Sequence, residues 1–386
     1  MSPANELGPL RRVILQPTGF CNIDCQYCYL PNRSTPSRMP MEVVEAVGAL
    51  LSDSELLAEE VEIRWHAGEP LTVKPDFYER ACPLLAEALG SRARVRFSLQ
   101  TNGMLIDDRW CDLFERHGIE VGVSIDGPAE IHDAHRLTRG GKGTFARAIK
   151  GVERLRERGL PVDLISVVTE ETLKRRAEYL EFAAALLPRS IGLNPEETEG
   201  EHVSELFGHD GYQRSYREFL RAMHGLQRET GVVVRPLAAM TDRIMRAELP
   251  IRNEQVEPLM MLSVDVDGNM STFSPELLGW KAPEHDDFVF GNVLNPDASL
   301  TEWTEGFRRL SAEIAEGREM CRRECQYFSV CGGGAAVNKW AENGTFASTV
   351  TEACRSSVMA VSDVVLDELE GELGAEPREG AAPVAR

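Results

Sequence analysis

The chain has 386 residues, enough to bury a sizeable core, and its 42 Lys and Arg against 62 Asp and Glu give a formal charge of −20, which disfavours the phosphate backbone of a nucleic acid as partner. No signal peptide and no bilayer-spanning apolar run can be read in it, so the expectation is a cytoplasmic protein with no membrane and no nucleic-acid partner. In a reducing compartment, nine cysteines falling as three, two singles and four suit metal or redox chemistry better than a disulfide framework.

Alternating strand and helix patterns fill the first half of the chain. Strands are predicted at residues 12–16, 61–65, 95–100, 120–124, 162–168 and 190–193, with helices at 41–51, 75–89, 109–117, 145–158 and 173–187. Six repeats are fewer than the eight of a closed barrel. Residues 11–195 are therefore expected to form an α/β fold, a partial (β/α)6 TIM-like barrel. Residues 196–260 read as a helical bridge: a charged, glycine-punctuated loop to Gly211, then helices near 212–229 and 236–249. Strands at 262–266 and 270–273 flank Asp267-Gly268-Asn269, a hairpin signal expected to open a second domain over 261–360. The Gly, Ala, Glu and Pro composition of 371–386 predicts a disordered tail. Cys82 and Cys111 fall in predicted helices without ligand partners and read as buried small apolar residues.

The chemistry begins at Thr18-Gly19-Phe20-Cys21-Asn22-Ile23-Asp24-Cys25-Gln26-Tyr27-Cys28-Tyr29. Three thiolates in a Cys-x3-Cys-x2-Cys loop are one short of the four that normally hold an iron–sulfur cluster, which leaves one iron for a non-protein ligand. A zinc knuckle is the alternative, but it needs a fourth ligand nearby, and the next cysteine is Cys82. The loop follows the first predicted strand, at the strand end where α/β barrels place their chemistry. With Tyr27 just before the third cysteine, it resembles the signature of radical S-adenosylmethionine enzymes. That resemblance implies a 4Fe-4S cluster on Cys21, Cys25 and Cys28, with its open iron chelated by the amino and carboxylate groups of S-adenosylmethionine. Reduction by a donor such as flavodoxin or ferredoxin then yields a 5′-deoxyadenosyl radical.

Later strand ends carry matching segments. His66-Ala67-Gly68-Glu69-Pro70 resembles the family's Gly-Gly-Glu-Pro, with Ala67 in place of the first glycine. Gln100-Thr101-Asn102-Gly103 and Ser124-Ile125-Asp126-Gly127-Pro128 close the third and fourth predicted strands. Ser124 and Arg136 have the spacing of the pair that holds the cofactor carboxylate in peptide-modifying members, and a guanidinium matches a carboxylate in bidentate fashion. The cofactor contacts implied by the resemblance are Tyr27, Gly68, Glu69, Gln100, Asn102, Ser124 and Arg136.

A second group, Cys321, Cys325, Cys331 and Cys354, lies in a glycine-rich segment and supplies four thiolates. Structural zinc is one reading. The other is resemblance to SPASM, the auxiliary-cluster domain of radical enzymes that modify peptides and proteins. Full SPASM domains carry seven cysteines; here the hairpin lacks its own and Ala335 stands where another would follow, so one auxiliary 4Fe-4S cluster is implied. Sulfatase-maturing enzymes place a catalytic Asp after the hairpin, where this chain has Phe273-Ser274-Pro275-Glu276-Leu277, which disfavours that activity.

That segment, with 338–346 and Cys354-Arg355, is similar to cyclophane-forming peptide maturases. The implied function is oxidation of a ribosomally made precursor peptide: a side-chain β-hydrogen is removed and the carbon joins an aromatic ring. Restoring aromaticity requires a base, for which Glu276 is the first candidate and His66 the second, and an electron acceptor, here the auxiliary cluster. Thioether formation, side-chain oxidation, or a zinc-binding scaffold without chemistry are the alternatives. The residues before Arg12 are too few for a fused leader-binding domain, leaving leader recognition to the barrel, the bridge or another chain.

Overall fold

The computed structural model describes residues 7–31, 33–200, 202–208, 211–246 and 251–374. Its strands are β1 (Leu10–Leu15), β2 (Ile23–Cys25), β3 (Leu57–Trp65), β4 (Arg94–Thr101), β5 (Glu120–Ser124), β6 (Arg136–Thr138), β7 (Asp163–Val168), β8 (Ser190–Pro195), β9 (Val233–Val234), β10 (Met261–Val264), β11 (Asn269–Thr272) and β12 (Gly291–Asn292). Ten of them form one sheet in the order β12-β11-β10-β1-β3-β4-β5-β7-β8-β9, and β2 pairs with β6 separately. The six predicted barrel strands are β1, β3, β4, β5, β7 and β8, consecutive and parallel. Among the described residues neither end strand, β12 or β9, pairs on its outer side, so the barrel is open.

Helices pack on the outer face through apolar stripes at helical spacing. Val43, Val44, Val47 and Leu51 of Met41–Ser52 are buried, as are Tyr78, Ala81, Cys82, Leu85 and Leu89 of Pro75–Leu89. Trp65, fully buried at the end of β3, meets Tyr78 edge-on at a centroid distance of 5.2 Å, locking that helix to the strand that delivers His66. Cys82 and Cys111 are fully buried among these apolar residues.

Three departures from the sequence reading have physical causes. The hairpin expected to begin a second domain continues the barrel sheet, because β10 pairs in parallel with β1 from Arg12↔Met261 to Leu15↔Val264. All four β10 residues are buried, the signature of a strand covered on both faces. The helix predicted at 173–187 is two helices, Glu170–Lys174 and Arg176–Leu186. Thr169 and Thr172 form a capping box that starts the first one early, and Arg175 breaks the pair while ion-pairing with both Glu171 and Glu178. Finally, the helix Val361–Gly374 runs past Gly371, where composition predicted a tail. Leu366, Glu368, Leu369 and Glu370 favour helix up to Gly371, and the next proline after the helix is Pro377. Residues 375–386 of the expected tail and 247–249 of the second bridge helix lie outside the described residues.

Because the barrel strands are parallel, their C-terminal ends share one rim. That rim carries the loop after β1, His66–Pro70 after β3, Asn102 after β4, Ser124 and Asp126 at β5, and residues 196–199 after β8.

Candidate active site

The first cysteine loop is fixed from several directions. Thr18 Oγ1 donates to Ser37 O at 2.5 Å, Cys21 N to Arg33 O at 2.9 Å, and Arg139 Nη2 to Cys21 O at 2.8 Å. The β2–β6 register sets Cys25 opposite Arg136. Gly68, at φ +57°, lies directly beneath the loop: a Cβ there would stand 2.6 Å from both Thr18 O and Phe20 O, so no other residue fits. Ala67 also adopts a positive φ, 76°, and keeps the turn that a glycine would make at lower cost.

Burial pushes the Cys25 thiol up to about 12 despite Arg136, and burial with the nearby Glu69 pushes Cys21 to about 12. Thiolates at these positions require a compensating cation such as cluster iron. Among the described residues no three His, Cys, Asp or Glu side chains close on a single point as ligands of one ion do; the three thiols instead border one cavity, and an all-thiol donor set fits an iron–sulfur cluster.

Around the loop stands a buried polar frame. Arg136 donates through Nε to Asp126 Oδ2 at 2.9 Å and through Nη2 to Oδ1 at 3.0 Å, and Tyr27 donates its hydroxyl to the same carboxylate. Burial alone would raise Asp126, but the Arg136 charge holds it below the ordinary carboxylate value. The carboxylate that Arg136 grips in bidentate fashion here is the chain's own, and Nη1 remains, 3.9 Å from Cys25 Sγ.

Glu69 is likewise engaged, accepting from Leu71 N at 2.9 Å, Thr101 Oγ1 at 2.7 Å and Asn102 N at 2.7 Å. Burial raises it to about 7 in spite of those donors. Asn102 donates to Asn22 Oδ1 at 2.7 Å, joining the β4 end to the cysteine loop. Gln100 donates to Ser124 Oγ at 2.8 Å across the space left by Gly122, where a Cβ would collide with the Gln100 amide.

A cavity of about 540 Å3 opens onto this frame, bordered by Cys21, Cys25 and Cys28 on one side and Cys331 and Cys354 on the other. Tyr27, Gly68, Glu69, Gln100, Asn102, Ser124 and Arg136 all border it, as do His66 and Glu276. Cys321 and Cys325 join Cys331 and Cys354 around a smaller adjoining cavity. Gly334 N donates to Cys331 Sγ at 3.0 Å. Gly332, Gly333 and Gly334 all have positive φ, 73°, 123° and 76°, a path only a glycine run follows readily.

Three carboxylates line the same cavity. Glu276 at the hairpin end accepts from the Ser274 hydroxyl and is raised by burial. Glu197 accepts from Asn338 Nδ2 at 2.8 Å and Ser357 Oγ at 3.3 Å, and burial raises it to about 7. Glu199 is raised well above the ordinary value by burial and then by Glu276 and Glu197. Like charges this close do not ionise independently, so the group titrates as a unit. Glu197 and Glu199 were missed in the sequence, read there as part of a charged loop; the available signal was an acidic run directly after a barrel strand. His66, the second candidate base, is held down to about 4 by burial and then by Arg64, and its Nδ1 has no partner among the described residues. It is the weaker base of the two candidates.

An open parallel barrel whose first strand delivers three thiols to a polar, cavity-lined rim defines an enzyme of the radical S-adenosylmethionine class. Residues 15–183 match the family model of the radical SAM superfamily, so the chain carries a radical SAM domain, and that family implies a 4Fe-4S cluster and S-adenosylmethionine. It is 38% identical over 374 residues to the uncharacterised protein sll1766 of Synechocystis, covering 95% of this chain and 94% of that protein. It is 32% identical over 220 residues to a serine-type anaerobic sulfatase-maturating enzyme of Klebsiella aerogenes, spanning 56% of this chain and 53% of that enzyme. Two solved structures share the fold. One is anSMEcpe with bound AdoMet and Kp18Cys peptide, at TM-score 0.75, 21% identity, and 94% and 99% coverage of this and that chain. The other is Streptococcus suis SuiB bound to its precursor peptide SuiA, at TM-score 0.62, 17% identity, and 91% and 77% coverage. Among the described residues, no helix is long and apolar enough to cross a membrane.

Proposed function

We propose that this protein is a peptide maturase that removes a side-chain β-hydrogen from a ribosomally made precursor and joins that carbon to an aromatic ring of the same peptide. The observation that carries the reading is a cavity lined by Cys21, Cys25 and Cys28, by Cys331 and Cys354 of the second cysteine group, and by Glu197, Glu199 and Glu276. When bound, the cofactor and its cluster supply a hydrogen-abstracting radical after taking one electron from a flavodoxin- or ferredoxin-type donor.

The chain's own residues do the rest. Arg136, Asp126 and Tyr27 hold the cysteine loop, and Glu69 fixes the β3 and β4 ends against it. The frame thereby sets the distance from the cofactor to the peptide carbon, on which product identity depends. After the carbon–carbon bond forms, the ring must lose one proton and one electron. Glu276 and its two neighbours are placed to take the proton; at about 7, Glu197 lies where a base near neutral pH works well. Cys321, Cys325, Cys331 and Cys354 would hold an auxiliary 4Fe-4S cluster, whose chemistry when bound would be that of an acceptor for this electron. The peptide thus loses two hydrogens in all, one as an atom to the cofactor-derived radical and one as a proton and an electron to the protein.

Anaerobic incubation of the reconstituted protein with S-adenosylmethionine, reductant and a candidate precursor peptide carrying an aromatic core residue tests the reading. The expected product is lighter by two hydrogens and carries a bond from a β-carbon to an aromatic ring, seen by tandem mass spectrometry and NMR. A product retaining every hydrogen, or one bonded through cysteine sulfur, would replace it.

A further inference from the structure

Lys339 lies in the helix Ala336–Asn343 and is only 2% exposed. A lysine is almost never buried to this extent without a partner. Its Nζ donates to Gly317 O at 3.0 Å and to Cys321 Sγ at 3.3 Å. Its hydrogen-bond acceptors among the described residues are therefore a carbonyl and a sulfur, and neither is a carboxylate.

The site is shaped for this contact. Gly317 and Cys321 stand one turn apart on the helix Glu305–Glu324 and so share a face. A Cβ on Gly317 would run into the carbonyl of Phe346 and lie 3.3 Å from the Lys339 Nζ, so the glycine keeps both the helix packing and the channel for the ammonium. A buried ammonium beside a neutral thiol is heavily penalised, whereas a metal-bound thiolate supplies its countercharge.

We infer that Lys339 is a positioning residue for the auxiliary cluster, binding the Cys321 sulfur and raising the cluster's reduction potential so that it accepts the electron released when the crosslinked ring regains aromaticity. The inference rests on the proposed function, because that reading supplies the cluster and the electron. Hydrogen bonds and positive charge at cluster sulfurs stabilise the more negative, reduced state. The balance is one electron from the peptide ring to the cluster and one proton from the ring to the carboxylates at Glu276. The helix Ala336–Asn343 serves both ends of this step: Asn338 donates to Glu197 in the large cavity, and the next residue, Lys339, reaches the sulfur.

The test uses the full chain with Cys21, Cys25 and Cys28 all changed to Ala, so that iron reports the auxiliary site alone. After anaerobic reconstitution, iron content and a redox titration followed by electron paramagnetic resonance are compared with and without Lys339→Met. The expected result is a full auxiliary iron complement in both and about a tenfold lower reduced-to-oxidised ratio at fixed potential for Lys339→Met, about 59 mV for one electron, largely restored by Lys339→Arg. An unchanged potential with full iron overturns the role of Lys339. Absence of iron from the parent triple variant overturns the auxiliary cluster itself. If Lys339→Met fails to assemble, hyperfine coupling to 15N-lysine in the reduced triple variant with Lys339 intact decides: coupling supports the contact, and none removes it.

Discussion

Cys25 in the barrel and Cys321 in the C-terminal region are equally buried, each 8% exposed, yet the cations beside them are differently committed. Arg136 stands 3.9 Å from Cys25 Sγ with its Nε and Nη2 edge already bound to Asp126. Lys339 stands 3.3 Å from Cys321 Sγ, and its other acceptor among the described residues is a carbonyl. In the barrel, positive charge is neutralised within a rigid frame, and three thiols leave a position open for the cofactor. In the second region, on the proposed function, four thiols would close the auxiliary site, and the ammonium is left for the sulfur. The same ligand atom therefore serves two tasks, set by ligand number and by where the nearest countercharge lies.

The barrel half of this comparison breaks at Arg136. Arg136→Met strands the buried Asp126 and is expected to cost the metal-free chain about 3–5 kcal/mol in urea unfolding; a change within error of zero would mean that Asp126 is not held as an ion. The cavity between the regions is sharpened by Glu276→Gln. With the proton acceptor weakened, crosslinking is expected to fall about 100-fold while 5′-deoxyadenosine formation continues, both followed by liquid chromatography and mass spectrometry. Equal loss of both would assign Glu276 to the barrel frame instead.

The smallest effect is a pH slope. Glu197 titrates together with Glu199 and Glu276 and is raised to about 7 in the fold against an ordinary 4.5, so the native group keeps protons that the unfolded chain releases. The stability this contributes is present below pH 4.5 and is lost as pH rises through about 7. Glu69 titrates at about 7 as well, so Glu197→Gln is expected to reduce the decline in melting temperature over that window without abolishing it. A steeper decline would contradict the assignment.

Much of the barrel site was legible because its signals are local. Cysteine spacing fixes the loop, and each of the next motifs sits at the end of a strand whose apolar pattern is plain in the sequence. What could not be read depends on tertiary placement, most of it between residues far apart in the chain. The pairing of β10 with β1 joins positions about 250 apart, which no local pattern encodes. Asp126 as the partner of Arg136 follows from the turn after β5 facing β6. Glu197 acquires meaning only when Asn338 and Glu276 arrive beside it. Lys339 sits in an ordinary helical pattern, and its role is visible only once Cys321 lies across from it.

The most direct measurement follows 5′-deoxyadenosine and crosslinked peptide together in three proteins under anaerobic turnover: wild type, the Cys21, Cys25 and Cys28 to Ala variant, and Cys354→Ala. The expected pattern is both products from wild type, neither from the barrel variant, and nucleoside without crosslink from Cys354→Ala. Crosslinked peptide from Cys354→Ala at the wild-type rate would contradict the division of work between the two cysteine groups.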